Sequence, residues 1–190
     1  MHYIEAISNY NPQNAQEAND QKIILSYIRA FQSNVLTREN EIAHITSSAL
    51  ILNKTLDQTL MIHHNIYQTW AWTGGHADGE EDLFKVAVRE ALEETGLEAI
   101  DALSNEIASI DIIPVYGHMK KGKYVSSHLH LNISYVLIAD TEAKLRVNLE
   151  ETSGVRWIPT DEIGKFSKEP YLVDIYLKLL SHAKKKRGFF

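Results

Sequence analysis

The stretch Gly75 to Leu97, GHADGEEDLFKVAVREALEETGL, constrains this chain more than any other. Gly74 and Gly75 break a preceding strand, and Asp78-Gly79 predict a tight turn. From about Glu80 to Thr95 no proline or glycine interrupts a run of good helix formers, and Gly96 supplies a helix stop. At 100° per residue, Leu83, Phe84, Ala87, Val88, Ala91 and Leu92 share an arc that should be buried. Glu90, Glu93 and Glu94 share another, one helical turn apart. Two such carboxylates repel by about 1 kcal/mol in water and by roughly 4 kcal/mol at an effective dielectric near 20. They also occupy the last turn, where the helix dipole disfavours anions. A solvated acidic face is one reading. The other is a cation site, whose hard oxygen ligands suit Mg²⁺ or Mn²⁺ and so point to phosphate chemistry.

The spacing separates these readings. Gly75, five residues, Glu81, seven residues, then Arg89-Glu90-Ala91-Leu92-Glu93-Glu94-Thr95-Gly96-Leu97 resembles the signature of the Nudix hydrolases, G-x5-E-x7-R-E-U-x-E-E-x-G-U. Every fixed position matches, which by chance has a probability on the order of 10⁻⁸ at a given start. Ala91 is smaller than the aliphatic residue usual there, a matter of packing. The resemblance covers roughly residues 41 to 165. It implies an α/β (α+β) Nudix fold, a mixed β-sheet sandwiched between helices. Around it lie an N-terminal helical extension (residues 1–40) and a C-terminal helix (166–190), all within a single domain.

The resemblance also implies a Mg²⁺- or Mn²⁺-dependent pyrophosphohydrolase acting on a nucleoside diphosphate linked to another group. Glu90, Glu93 and Glu94 match the family's metal-ligand positions. Arg89 is expected to orient carboxylates. Glu81 falls on the far side of the helix wheel from Glu90 and is expected at the loop end, supporting it or reaching the metal indirectly. Gly75 lets the loop approach the helix and the substrate. In relatives a glutamate of the loop before the last core strand adds a metal contact or acts as base, which nominates Glu150 and Glu151. The general base stays open among Glu93, Glu94, Glu150, Glu151 and the strand histidines. The rival readings are a Nudix-fold nucleotide sensor without catalysis, against which the intact glutamates argue, and an isopentenyl-diphosphate-isomerase-like enzyme, which in its relatives uses a cysteine.

The rest of the chain reads in order. Residues 1 to 11 are expected to be a loosely held lead-in. Pro12 suits the first turn of a helix running to about Gln32, with Ile24, Tyr27, Ile28 and Phe31 at helical spacing. That helix is expected to pack on the core, to cover substrate or to form a dimer. Residues 41–53 and 59–64 predict a hairpin, with His44, Thr46 and Ser48 on one side of its first strand. Trp70 is expected to pack against the signature helix, and Trp72 to stack on a base or join the core. Residues 107–116 predict a strand in which Pro114 argues for an edge or a bulge. Residues 117–124 predict a hairpin loop whose lysines are solvated or meet a polyphosphate. Residues 127–139 are the clearest strand, with Ser126, His128, His130 and Asn132 on one face. No usual third and fourth ligand stands at a recognisable spacing from His128 and His130, which disfavours zinc. They are expected either in the substrate cleft or as structural histidines. Residues 155–158 predict a short strand, and 167–186 an amphipathic helix.

Composition narrows the function classes. The chain has 190 residues, no cysteine and a formal net charge of −6. Disulfides, cysteine zinc sites and thiol nucleophiles are excluded. An acidic chain without a basic stripe is not expected to bind nucleic acid generally. No apolar run approaches the length of a membrane span, and MHYIEAISNYN lacks a secretory pattern. The expected setting is the cytoplasm, and the expected partner a small nucleotide derivative, with a homodimer possible.

Overall fold

The computed structural model describes residues 2–66, 68–120, 122–149 and 152–188. Its organising element is β1 (Ala43–Leu52), in which every residue is buried. A strand covered on both faces must pair on both flanks. On one it runs parallel to β9 (His128–Ile138) along its whole length, from Ala43 opposite Leu129 to Leu52 opposite Ile138. The other flank is shared. Ile51 and Leu52 pair with β2 (Gln58–His64), and Thr46 to Ala49 pair with β4 (Thr73–His76), both antiparallel. Beyond β9 lie β5 (Asp101–Ala102) and β6 (Ser109–Val115); beyond β2 lie β3 (Thr69–Ala71) and β10 (Thr152–Pro159). These form one mixed sheet, while β7 (His118–Lys120) and β8 (Lys123–Val125) make a separate hairpin. Within the sheet, β6 pairs with β9 alone, as the proline at position 114 requires of an edge.

Helices cover both faces, as the family resemblance implies. On one lie α1 (Tyr3–Asn9), α2 (Ala15–Phe31) and α3 (Leu83–Thr95), packed on the odd-numbered side chains Ile45, Ala49 and Ile51 of β1 and Leu131, Ile133 and Tyr135 of β9. On the other lies α5 (Pro170–Arg187), after the short α4 (Ile163–Phe166), packed on Leu50, Leu52, Val136 and Ile138. That even-numbered face changes character along its length. Leu50 and Leu52, beside Val136 and Ile138, meet α5. His44, Thr46 and Ser48, beside His130, Asn132 and Ser134, are polar. That face is therefore half apolar core and half buried polar floor.

Three expectations need correction. Residues 1 to 11 are no loose lead-in: Tyr3 and Ile7 of α1 are buried in the core, as are Ile24 and Ile28 of α2. Trp70 does not pack on the signature helix. Its ring meets the edge of His63 at 5.2 Å and the Arg156 guanidinium at 5.5 Å, on the β2–β10 side. The helix α2 also begins later than expected, because Asn14, not Pro12, provides its cap by accepting from the Glu17 N–H.

Candidate active-site cleft

The signature builds a turn and a helix that face one another. Asp78 and Gly79 take positive φ, and Arg38 holds the turn from outside with two hydrogen bonds to the Asp78 carboxylate, at 2.9 and 2.6 Å. Asp82 then caps α3 by accepting from the Lys85 N–H, so the helix starts at Leu83 rather than Glu80. Leu83, Ala87 and Ala91 enter the core with Val86 also buried, and Gly96 ends the helix in the left-handed region.

The opposite edge of this helix carries the acids. Glu94 is 5% exposed, and its carboxylate accepts a hydrogen bond from the Gly74 N–H at 3.0 Å. Glu90 is half-buried and receives the Arg89 guanidinium at 2.7 Å. The close approach depends on the glycines: a Cβ at Gly75 would run into the Glu90 carboxylate, and one at Gly74 into Ser48. Two like charges thus sit side by side at the dipole's negative end. Both line a cleft of about 710 Å³.

The floor of that cleft is the polar half of the sheet. Thr46 and Ser48 donate to Asn132 Oδ1 at 2.9 and 2.8 Å, and Asn132 donates onward to Ser134. Next to them four histidines converge: His44 of β1, His76 of β4, and His128 and His130 of β9. Burial pushes His76 down to about 3 and His130 down to about 2, with neighbouring imidazoles and Arg38 adding to both shifts. His44 is lowered by burial as well. These three rings are neutral at pH 7. The β7–β8 hairpin brings Lys120 and Tyr124 to the lining, and the link between β6 and β7 brings Tyr116. Trp72, 9% exposed, closes another side with its ring against the edge of Tyr176.

The predicted site residues thus divide. Glu90, Glu94, Gly75, Trp72, His128 and His130 come together around the cleft. Arg89 stands behind Glu90. Glu93 is exposed on the same turn of α3 and is not among the cleft-lining residues. Glu81 is exposed at the loop end, where His2 Nε2 lies 3.5 Å from it. Glu150 and Glu151 lie outside the described residues, as does Lys121. His44 and His76 were missed as members of a cluster. The face shared by His44, Thr46 and Ser48 was the available signal, but strand pairing, which a single sequence does not display, decides that β9 lies alongside. Among the described residues no part of α1 or α2 lines the cleft, so neither covers it.

Comparison with known proteins agrees with this arrangement. A family model described as NUDIX domain matches residues 42–179. No curated protein matches the sequence at a significant level. Among solved structures, the dihydroneopterin triphosphate pyrophosphohydrolase of E. coli superposes with a TM-score of 0.55 at 13% identity, covering 72% of this chain and 94% of that one. The Nudix hydrolase RenU of M. smegmatis gives 0.52 at 18%, covering 75% and 86%. An Ap4A hydrolase of C. elegans gives 0.50 at 16%, covering 77% and 98%. At such identities the superpositions speak for the fold, and the family match speaks for descent. With its complete signature folded as the turn and acidic helix of such a cleft, the chain belongs to the Nudix hydrolase family.

Proposed function

We propose that this chain hydrolyses the pyrophosphate bond of a nucleoside diphosphate linked to a further group, with a divalent cation. The observation that carries the reading is the pairing of Glu90 and Glu94 over Gly74 and Gly75 on the wall of the cleft. Their fit to a cation follows from their chemistry: two hard carboxylates, both partly or fully withdrawn from water, repel each other where the helix dipole is unfavourable. Glu90 and Glu94 would hold Mg²⁺ or Mn²⁺, which there supplies charge neutralisation of the diphosphate and activation of water.

The chain's own groups do the positioning. The Gly74 N–H fixes Glu94, and Arg89 fixes Glu90. Lys120 offers an ammonium to phosphate oxygens. The exposed rings of Tyr116 and Tyr124 offer faces for a base. Glu93, at the rim of α3, and Glu151, in the acidic segment before β10, are the candidate bases. Glu81 supports the loop end. The cleft volume falls within the range of about 300–1,000 Å³ usual for small-ligand pockets.

The test is product release from ADP-ribose, NADH, nucleotide sugars, (d)NTPs, a dinucleoside tetraphosphate and a pterin triphosphate. It is run with Mg²⁺ or Mn²⁺, beside Glu94→Gln. The expected result is metal-dependent turnover of one compound, reduced at least about a hundredfold in the variant. Tight binding of one compound without turnover of any would establish the sensor instead.

A further inference from the structure

The four histidines have no role in the reading above, and their placement is built into the sheet. β1 and β9 set His44 directly opposite His130, β4 sets His76 opposite Thr46, and the two-residue period puts His128 and His130 on one face of β9. Ring centroids of His44 lie 4.9 Å from those of His76 and His128 and 5.4 Å from that of His130. One nitrogen from each ring lies within 4.8 Å of all the others.

Two of the rings have their tautomers fixed from behind. His44 Nδ1 is 2.9 Å from the Asn40 carbonyl, and His128 Nδ1 is 2.9 Å from the Ser126 carbonyl. A carbonyl only accepts, so both Nδ1 atoms carry a proton, and the neutral form of each ring presents its Nε2 lone pair. His44 Nε2 is buried and, among the described residues, has no hydrogen-bond partner. A buried acceptor of this kind is costly unless something is bound to it. His128 Nε2 faces His130 Nε2 at 3.2 Å. That separation matches the edge of about 3.3 Å expected of a tetrahedron with metal–nitrogen bonds of about 2.0–2.1 Å. Backbone carbonyls behind ligating imidazoles are the usual outer shell of such sites.

We propose that His44, His76, His128 and His130 form a second metal site, for a borderline transition metal of the Zn²⁺ type, beside the carboxylates of α3. Imidazole nitrogens favour such ions over Mg²⁺. The reading does not rest on the hydrolase assignment. Imidazole lone pairs aimed at a common point suit a cation and not an anion, and the Nδ1 contacts of His44 and His128 to carbonyls aim their Nε2 atoms that way. In the metal-free protein His130 donates its Nε2 proton to His128; on metal binding that proton moves to the other ring nitrogen. The bound ion would tie β4, β1 and β9 together and add positive charge to the cleft floor.

The experiment uses untagged full-length protein, stripped with chelator and titrated with Co²⁺ and then Zn²⁺. A single equivalent of Co²⁺ should give the intense visible absorption of tetrahedral coordination, and Zn²⁺ should abolish it. The spectrum should survive in the double variant Glu90→Gln, Glu94→Gln, and disappear in His130→Asn and His128→Ala. Zn²⁺ affinity should fall by at least about a hundredfold in each histidine variant, more than loss of an outer-shell partner costs. Replacing the buried His44 endangers the fold, so the half-exposed His128 carries the test, with circular dichroism confirming that the variant is folded. No tetrahedral spectrum in the folded wild type overturns the proposal. So does a spectrum lost in the glutamate variant and kept in the histidine variants.

Discussion

Individual residues decide how the acids are held. Glu94 accepts from a backbone N–H that any residue at position 74 except proline would offer, but only glycine leaves room there. At position 75 the neighbour is the Glu90 carboxylate, the end of a side chain that can give way, so a Cβ there moves an acid rather than the backbone. Gly75→Ala should therefore displace Glu90, lowering kcat by up to about a hundredfold with little change in KM, and with little loss of stability because the displaced group is the mobile end of a side chain. Steady-state kinetics and urea unfolding of the variant check both. These glycines and glutamates were legible in the sequence because their spacing is local: a turn and one helix contain them. Glu93 shows the limit of that reading. Helical spacing grouped it with Glu90 and Glu94, but which side of α3 meets the cleft is decided by packing.

Among the elements, the helices outside the signature are bound in more firmly than their position in the chain suggests. Lys178 of α5 places its ammonium 3.0 Å from Glu17 of α2 and 2.6 Å from Asp111 of β6. Both carboxylates are buried. Tyr10 and the Gln13 N–H donate to Glu17 as well, at 2.8 and 2.7 Å. Lys178→Met would leave two buried carboxylates without their cation and should cost about 3–5 kcal/mol. Denaturant unfolding measures that loss. The metal dependence of any turnover should be unchanged in the folded fraction, since none of the three lines the cleft. The helical periodicity of α2 and α5 was readable, and so were β1 and β9 as separate strands. Their partnership was not, since a buried cluster joining three elements leaves no trace in the spacing along any one of them.

At the scale of the whole molecule, the histidine cluster gives the protein an acid limit. His76 and His130 are pushed down to about 3 and about 2 in the fold, chiefly by burial, with Arg38, Lys120, His44 and His128 facing them. In the unfolded chain they titrate near 6.5. The depressed folded values mean that the unfolded chain takes up protons first. Stability is thus fully present above pH about 6.5 and is lost as the pH falls toward the folded values, by up to about 1.4 kcal/mol per pH unit for each histidine. Urea midpoints of chelator-treated protein should therefore drop between pH 7 and pH 5, beyond the change shown by His130→Asn.

The parallel pairing of β1 with β9 has a consequence for how the protein is made. Contacts between distant parts of a chain form slowly, and the closure of the intervening loop must precede them. During synthesis the turn and the acidic helix leave the ribosome as one local unit, with β1 already behind them. The long flank of β1 that β9 will occupy, from Ala43 to Leu52, must wait unpaired until that later strand emerges. A nascent chain halted just before His128 would carry the entire signature and the acids of α3, yet lack half of the floor on which they are meant to work.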